Sequence, residues 1–247
     1  MKFNWTHDLK KASSSKESGF SLVEVTIALA IALVSLAIAS KMLAGTFNLR
    51  ARENQRSEAL ADVQRALNIM TREIANSGFG LTSNGIVAGD SDGGIDGNAA
   101  GEHQVRLIRF RANLNAFAGE AGSATTNDSG EDVKYLLYVD DANQQRYLVR
   151  YDVNADDTTV LANRIDTLSV RYFSGRVNYT SDTNDCNISL PAGVTEVANK
   201  ANAKYLVVVA CVRLPALGTP GGSGYQPATV AKLVSDIELR NQNSRAY

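Results

Sequence analysis

The chain is poor in the residues that carry most enzymatic chemistry. Among 247 residues it has two histidines, His7 and His103, and two cysteines, Cys186 and Cys211. So few imidazoles leave little capacity for a histidine-based triad or a multi-histidine metal site; His103 reads instead as a strand-edge residue. The cysteines do not form a Cys-x-x-Cys pair, which removes that redox motif. No Gly-x-x-x-x-Gly-Lys loop is present to cradle a phosphate. Charge of one sign is also missing: 25 Lys and Arg stand against 26 Asp and Glu, a net of -1, without the basic stripe expected of a nucleic-acid binder. Proline is absent between Phe20 and Ser77, so nothing in that interval forces a helix to break. These shortages predict a protein that is not an enzyme, needs no resident cofactor and has no nucleic-acid partner.

What is present begins with an apolar run. From Phe20 to Ser40 the only charge is Glu24, and about twenty such residues suffice for a helix to cross the hydrocarbon core of a bilayer. A carboxylate there costs about 2.5 to 3.5 kcal/mol at a helix centre and less near an end, so Glu24 needs a cation or a proton. Two plainer readings compete. The carboxylate snorkels to the interface without a role, or Ala37-Ile38-Ala39 before Ser40 is the cleavage site of a secretory signal peptide. Against the second, Glu24 interrupts the apolar region and helical character continues past Ser40.

Residues 1 to 18 are polar and Ser/Lys-rich, with no helical or strand period, and read as a disposable leader. Lys2, Lys10, Lys11 and Lys16 against Asp8 and Glu17 make it +2, which would leave the rest at -3. Lys41, Arg50, Arg52 and Arg56 match those lysines beyond the span, so charge does not orient it. Farther on, Leu60, Val63, Leu67, Met70 and Ile74 recur at spacings of three and four, the apolar face of a helix. A single helix of nearly sixty residues is expected, about 85 to 90 Å long. Gly45 is its weak point, at up to about 1 kcal/mol relative to Ala, and Asn76-Ser77-Gly78 its stop.

Asn84 to Gly101 is Gly/Asp/Asn-rich and reads as a long loop. Seven runs rich in β-branched and aromatic residues follow: Gln104 to Arg111, Val133 to Val139, Arg146 to Val153, Thr159 to Ala162, Ile165 to Phe173, Lys204 to Leu214, and Val230 to Arg240. Turn signals at 140–143 and 154–157 join neighbours as hairpins, and Gly218 to Gly224, with Pro215, Pro220 and Pro227, forms a late loop. The expected architecture is α+β: a long helix whose second half lies across one antiparallel sheet.

The hexad Gly19-Phe20-Ser21-Leu22-Val23-Glu24 resembles the processing site of type IV prepilins. The resemblance implies a cut between Gly19 and Phe20 on the cytoplasmic side by a prepilin peptidase, methylation of the new amine, and assembly of the helix into a filament through Glu24. It also implies the orientation, leader inside and the rest outside. The pilin-like fold it brings divides the chain into a leader (1–19), a membrane-spanning half-helix (20–40), an extramembrane half-helix (41–78) and a globular β domain (79–247). Arg65-Ala66-Leu67 through Met70-Thr71-Arg72-Glu73-Ile74-Ala75-Asn76-Ser77-Gly78, Ile165 to Tyr172 and Ile237 to Asn241 are similar to segments of PilW-type minor pilins, the first also to J-type pseudopilins of type II secretion. The partners implied are other pilins and minor pilins, the peptidase, an inner-membrane assembly platform and the bilayer.

With an outer domain in an oxidising periplasm, the even count of two cysteines is consistent with a Cys186–Cys211 disulfide, and separate buried thiols remain the alternative. Such a bond would close a loop of about 25 residues and contribute roughly 3 kcal/mol on the chain-entropy model. Calcium is the one ligand worth weighing. Asp90, Asp92 and Asp96 offer oxygen donors in a glycine-flexible loop, although it departs from the EF-hand pattern at the fifth and sixth positions. Asp152, Asn154 and Asp156 have better initial spacing, but Asp157 replaces the turn glycine and Asn163 the bidentate glutamate. The function expected is that of a minor pilin, single-pass in the inner membrane with a periplasmic domain, or present in the extracellular pilus, serving its assembly, motility or cell adhesion. A type II secretion pseudopilin and a membrane-tethered binding or adhesin module are the alternatives.

Overall fold

The computed structural model describes residues 19–87, 104–115, 125–140, 145–163, 165–181, 186–222 and 224–241. Helix α1 spans Leu22–Ala75, 54 residues without interruption, about 80 Å at 1.5 Å per residue. Up to Ala44 the helix is exposed throughout: Phe20 is 82% exposed, and Leu22 to Leu43 present bare apolar side chains. The second half is amphipathic, burying Ala59, Val63, Ala66, Leu67, Met70, Ile74 and Ala75 at spacings of three and four, with Leu60 only half-buried. The helix ends where Ser77 N–H returns to Ile74 O (3.0 Å) and Gly78 takes φ +78°. A Cβ at Gly78 would lie 2.5 Å from the Ser83 carbonyl, so glycine is needed there for space as well as for φ.

Seven strands follow, all paired antiparallel. Strands β1 (Gln104–Arg111), β2 (Asp132–Val139), β3 (Arg146–Asp152) and β4 (Asp157–Asn163) form one sheet in that order. Strands β5 (Thr167–Phe173), β6 (Tyr205–Leu214) and β7 (Thr229–Glu238) form a second. This corrects the single sheet expected from sequence. Ile165 N–H donates to Arg146 O and Asp166 N–H to Cys211 O, so the chain leaves the first sheet and joins the second within a few residues. Strand β5 then pairs with β6 rather than with β4.

β6 is buried on both faces. Leu206, Val208, Ala210, Val212 and Leu214 join the core under α1, while Tyr205, Val207, Val209 and Cys211 face a second cluster. That cluster is covered by the excursion between β5 and β6, through Val177, Tyr179, Cys186, Ile188, Leu190 and Val194. Alternation in β6 is therefore hidden at the sequence level, because neither set of positions faces water. The two sheets and α1 run alongside one another. At the Glu238 end of β7, Arg240 N–H bonds the Ala75 carbonyl, and at the Leu214 end of β6 the contact is with Arg52.

Candidate processing and assembly site

Gly19 and Phe20 precede α1 in extended chain, and Ser21 caps the helix through its carbonyl, which accepts from Val25 N–H at 3.1 Å. A Cβ at Gly19 would meet nothing within 4 Å. Among the described residues nothing therefore requires glycine there. Glu24 stands in the first helical turn, where a negative charge is favoured by the helix dipole. It is exposed and has no ion-pair or hydrogen-bond partner among the described residues. The run around it is the one stretch among the described residues apolar and long enough to cross a membrane, and none of it is buried. Lys41 is the first cation after it.

Above the apolar half, a contact that sequence reasoning missed ties helix to domain. Arg52 is only 4% exposed, and its guanidinium reaches the carbonyls of Pro215, Leu214 (3.4 Å) and Pro227 (2.7 Å) and the Thr229 hydroxyl (2.8 Å). A planar fork of five donors suits this set as an ammonium would not. Two turns earlier, Gly45 meets Gly224 so closely that a Cβ at Gly224 would lie 2.6 Å from the Gly45 Cα. The weak point in the helix is thus a place of close backbone approach, which a glycine inside a helical pattern signals in principle.

A second tie lies near the end of α1. Glu73 accepts Tyr135 O–H at 2.6 Å and Arg150 Nε–H at 3.0 Å, joining the helix to β2 and β3. Burial first, and the Glu73 carboxylate next, push the Tyr135 phenol well above its usual range, so it stays a donor. Burial is the largest single effect and works against the Arg150 charge, but the hydrogen bond to Glu73 and the nearby negative charges together outweigh it and raise the guanidinium's pKa.

The expected disulfide is not formed in the structure. Cys211 is buried on the outer face of β6 and Cys186 packs onto the same cluster from the covering excursion, each as a small apolar side chain. The calcium candidates Asp90, Asp92 and Asp96, and His103, lie outside the described residues. At the other candidate loop, Asp152 Oδ2 accepts from Ser129 Oγ (3.0 Å) and Gly130 N (2.6 Å), and its Oδ1 from Asn154 N (3.1 Å) and Ala155 N (3.2 Å). Asp156 Oδ1 takes Tyr151 O–H at 2.9 Å, and Asn154 Nδ2 donates to the Thr126 and Asp128 carbonyls. These oxygens are engaged in building the β3–β4 turn, and among the described residues no three His, Cys, Asp or Glu side chains converge as metal ligands would.

Compared with known proteins, residues 14–40 match the family described as prokaryotic N-terminal methylation motif. The match covers the hexad and the apolar run. No curated protein and no solved structure matches the chain. Together with a long helix packed by its second half on antiparallel sheets, the motif supports a type IV pilin-like protein, anchored in a membrane near its N-terminus and handled by pilin-processing machinery.

Proposed function

We propose that the chain is a minor pilin of the PilW type, a non-enzymatic subunit that enters or primes a type IV pilus through α1, with its β domain in the periplasm. The observation that carries this reading is Glu24: a carboxylate without a partner among the described residues, in the first turn of an exposed apolar run and four residues after Phe20. In hydrocarbon such a charge strongly favours finding a cation. Once the leader is cut away, the amine of Phe20 is the nearest kind of partner, and in a filament a neighbouring subunit supplies it. Pairing between subunits would then fix the axial register of each incoming helix.

The test is fractionation. Intact-mass analysis of the membrane protein should give a chain beginning at methylated Phe20, and Gly19→Val should leave the precursor. The processed protein should also appear in sheared pili. A chain beginning at Ser40 would point to a conventional signal peptide. Retention in membranes, with loss of protein secretion rather than of pili on deletion, would place it in a type II secretion machine. Retention with neither defect would leave a membrane-tethered binding module.

A further inference from the structure

We propose that the hairpin between β6 and β7 is a second membrane contact, whose tip rests in the headgroup layer on the side of the bilayer where the β domain lies. This rests on the reading that α1 enters a bilayer. Leu214 to Ala231 contain no charged residue, eighteen positions in a row in a chain that is 21% charged. A solvated loop in such a chain would be expected to carry several charges. The hairpin folds back on itself through a two-way Leu217–Gln226 backbone pair (2.9 Å each way), with Gly222 N–H turned onto Thr219 O (2.8 Å). Thr219, Pro220, Gly221 and Gly222 are exposed, while Leu217 and Tyr225 are half-buried.

The depth of the tip follows from its contact with α1. Gly224 lies against Gly45, and Gly218 stands near the Asn48 amide. Gly45 is four residues beyond Lys41, where the apolar run ends, about 6 Å along the axis. Headgroups add about 5 to 7 Å on each side of a hydrocarbon core about 30 Å thick. The tip therefore sits level with the headgroups. Between Lys41 and Arg50 the helix carries no charge and is open, with Met42 71% and Phe47 59% exposed. The hairpin with Tyr225 and the uncharged helix stretch with Phe47 meet in this layer, where an amphipathic ring such as that of tyrosine is favoured.

Arg52 holds the base of the hairpin through carbonyls on both of its arms, those of Leu214, Pro215 and Pro227. The tip is thus a fixed foot rather than a free loop, and with α1 it gives the β domain two points of contact with the bilayer. The tip has no cation, so the lipid recognised is a phospholipid interface irrespective of headgroup charge.

Full-length protein in a Trp5→Phe background would be placed in vesicles of phosphatidylcholine brominated near the carbonyl end of its acyl chains, at low protein density. Single tryptophans would replace Tyr225 or Thr219 in the tip, Leu36 in the span, and Thr158 at the far end of the domain. Tyr225→Trp and Thr219→Trp should be quenched comparably with Leu36→Trp and several-fold more than Thr158→Trp, and Gly224→Val should release the quenching at Thr219→Trp while sparing Leu36→Trp. Tip reporters as unquenched as Thr158→Trp, with Leu36→Trp quenched, would overturn the proposal and leave the membrane reading standing. A tip shielded only as protein density rises would assign the surface to a neighbouring copy and also overturn it. An unquenched Leu36→Trp would remove the membrane reading and the proposal together.

Discussion

Asp132 is 3% exposed and is held by two arginines: Arg109 Nε meets Oδ1 at 2.7 Å and Arg111 Nε meets Oδ2 at 2.7 Å. Burial opposes its charge, but the two guanidiniums outweigh it and hold the carboxyl below its usual 3.8. A carboxylate whose folded pKa is lowered contributes stability above the unfolded value and loses it as pH falls through the folded one. Asp132→Asn should therefore destabilise the protein by about 2 to 4 kcal/mol at neutral pH. The gap from wild type should close only as pH drops below about 3.8, read from urea midpoints in detergent across that range. Glu73 offers a comparison at the helix, because its arginine is 18% exposed and a tyrosine shares the site. Glu73→Ala leaves Arg150 without its carboxylate and should cost about 2 to 4 kcal/mol, against about 1 to 2 kcal/mol for Tyr135→Phe, which removes one hydrogen bond. Equal losses for the two would mean that the ion pair adds nothing beyond the phenol contact.

At the level of elements, Arg52 is the residue on which the placement of the β6–β7 hairpin depends. Arg52→Ala leaves the carbonyls of Leu214, Pro215 and Pro227 without their donor, and Arg52→Lys restores the charge but not the fork. Both substitutions should speed backbone hydrogen exchange at Leu217 and Gln226 by tenfold or more, which corresponds to a loss of about 1.4 kcal/mol in local opening, with exchange in β2 and β3 unchanged. Faster exchange throughout the domain would instead make Arg52 a general core residue. Elements themselves were legible in the sequence: all seven strands lie within two residues of the runs of β-branched and aromatic residues, and α1 ends at Ala75 just before the Asn-Ser-Gly stop. Their partners were not. Glu73 meets residues 62 and 77 positions away and Arg52 residues more than 160 away, and no local period encodes such distances. The split into two sheets was hidden for the same reason, since antiparallel pairing of β5 with β6 instead of β4 leaves each strand's own pattern unchanged. The hexad stood apart because its signal is local, contained within the residues 14–40 that match the methylation motif.

The whole molecule is divided between a β domain that pairs buried charges such as Asp132 and an apolar helix segment whose one charge, Glu24, has no partner among the described residues. Asp132, Glu73 and Arg52 all have partners within the fold, whereas Glu24 has none among the described residues and its apolar surroundings are wholly exposed. Folding of the β domain and use of the helix are therefore separable, and a substitution at Glu24 should affect only the second. Glu24→Ala removes a charge from the apolar run, which makes insertion easier by up to about 2.5 to 3.5 kcal/mol and less this close to the helix end. The variant should be cut after Gly19, remain in the membrane and unfold with the same urea midpoint as wild type, because no described residue of the β domain touches position 24. On the proposed reading, what it lacks is the charge that would draw a neighbour's amine into register. In a strain without the wild-type copy it should be recovered poorly in sheared pili, or support few of them. Glu24→Gln should behave like Glu24→Ala if the charge matters, and like wild type if a neutral hydrogen bond suffices. Normal piliation with normal incorporation of both variants would show that the carboxylate only reaches for the interface, and that assembly draws on the apolar face of the helix alone.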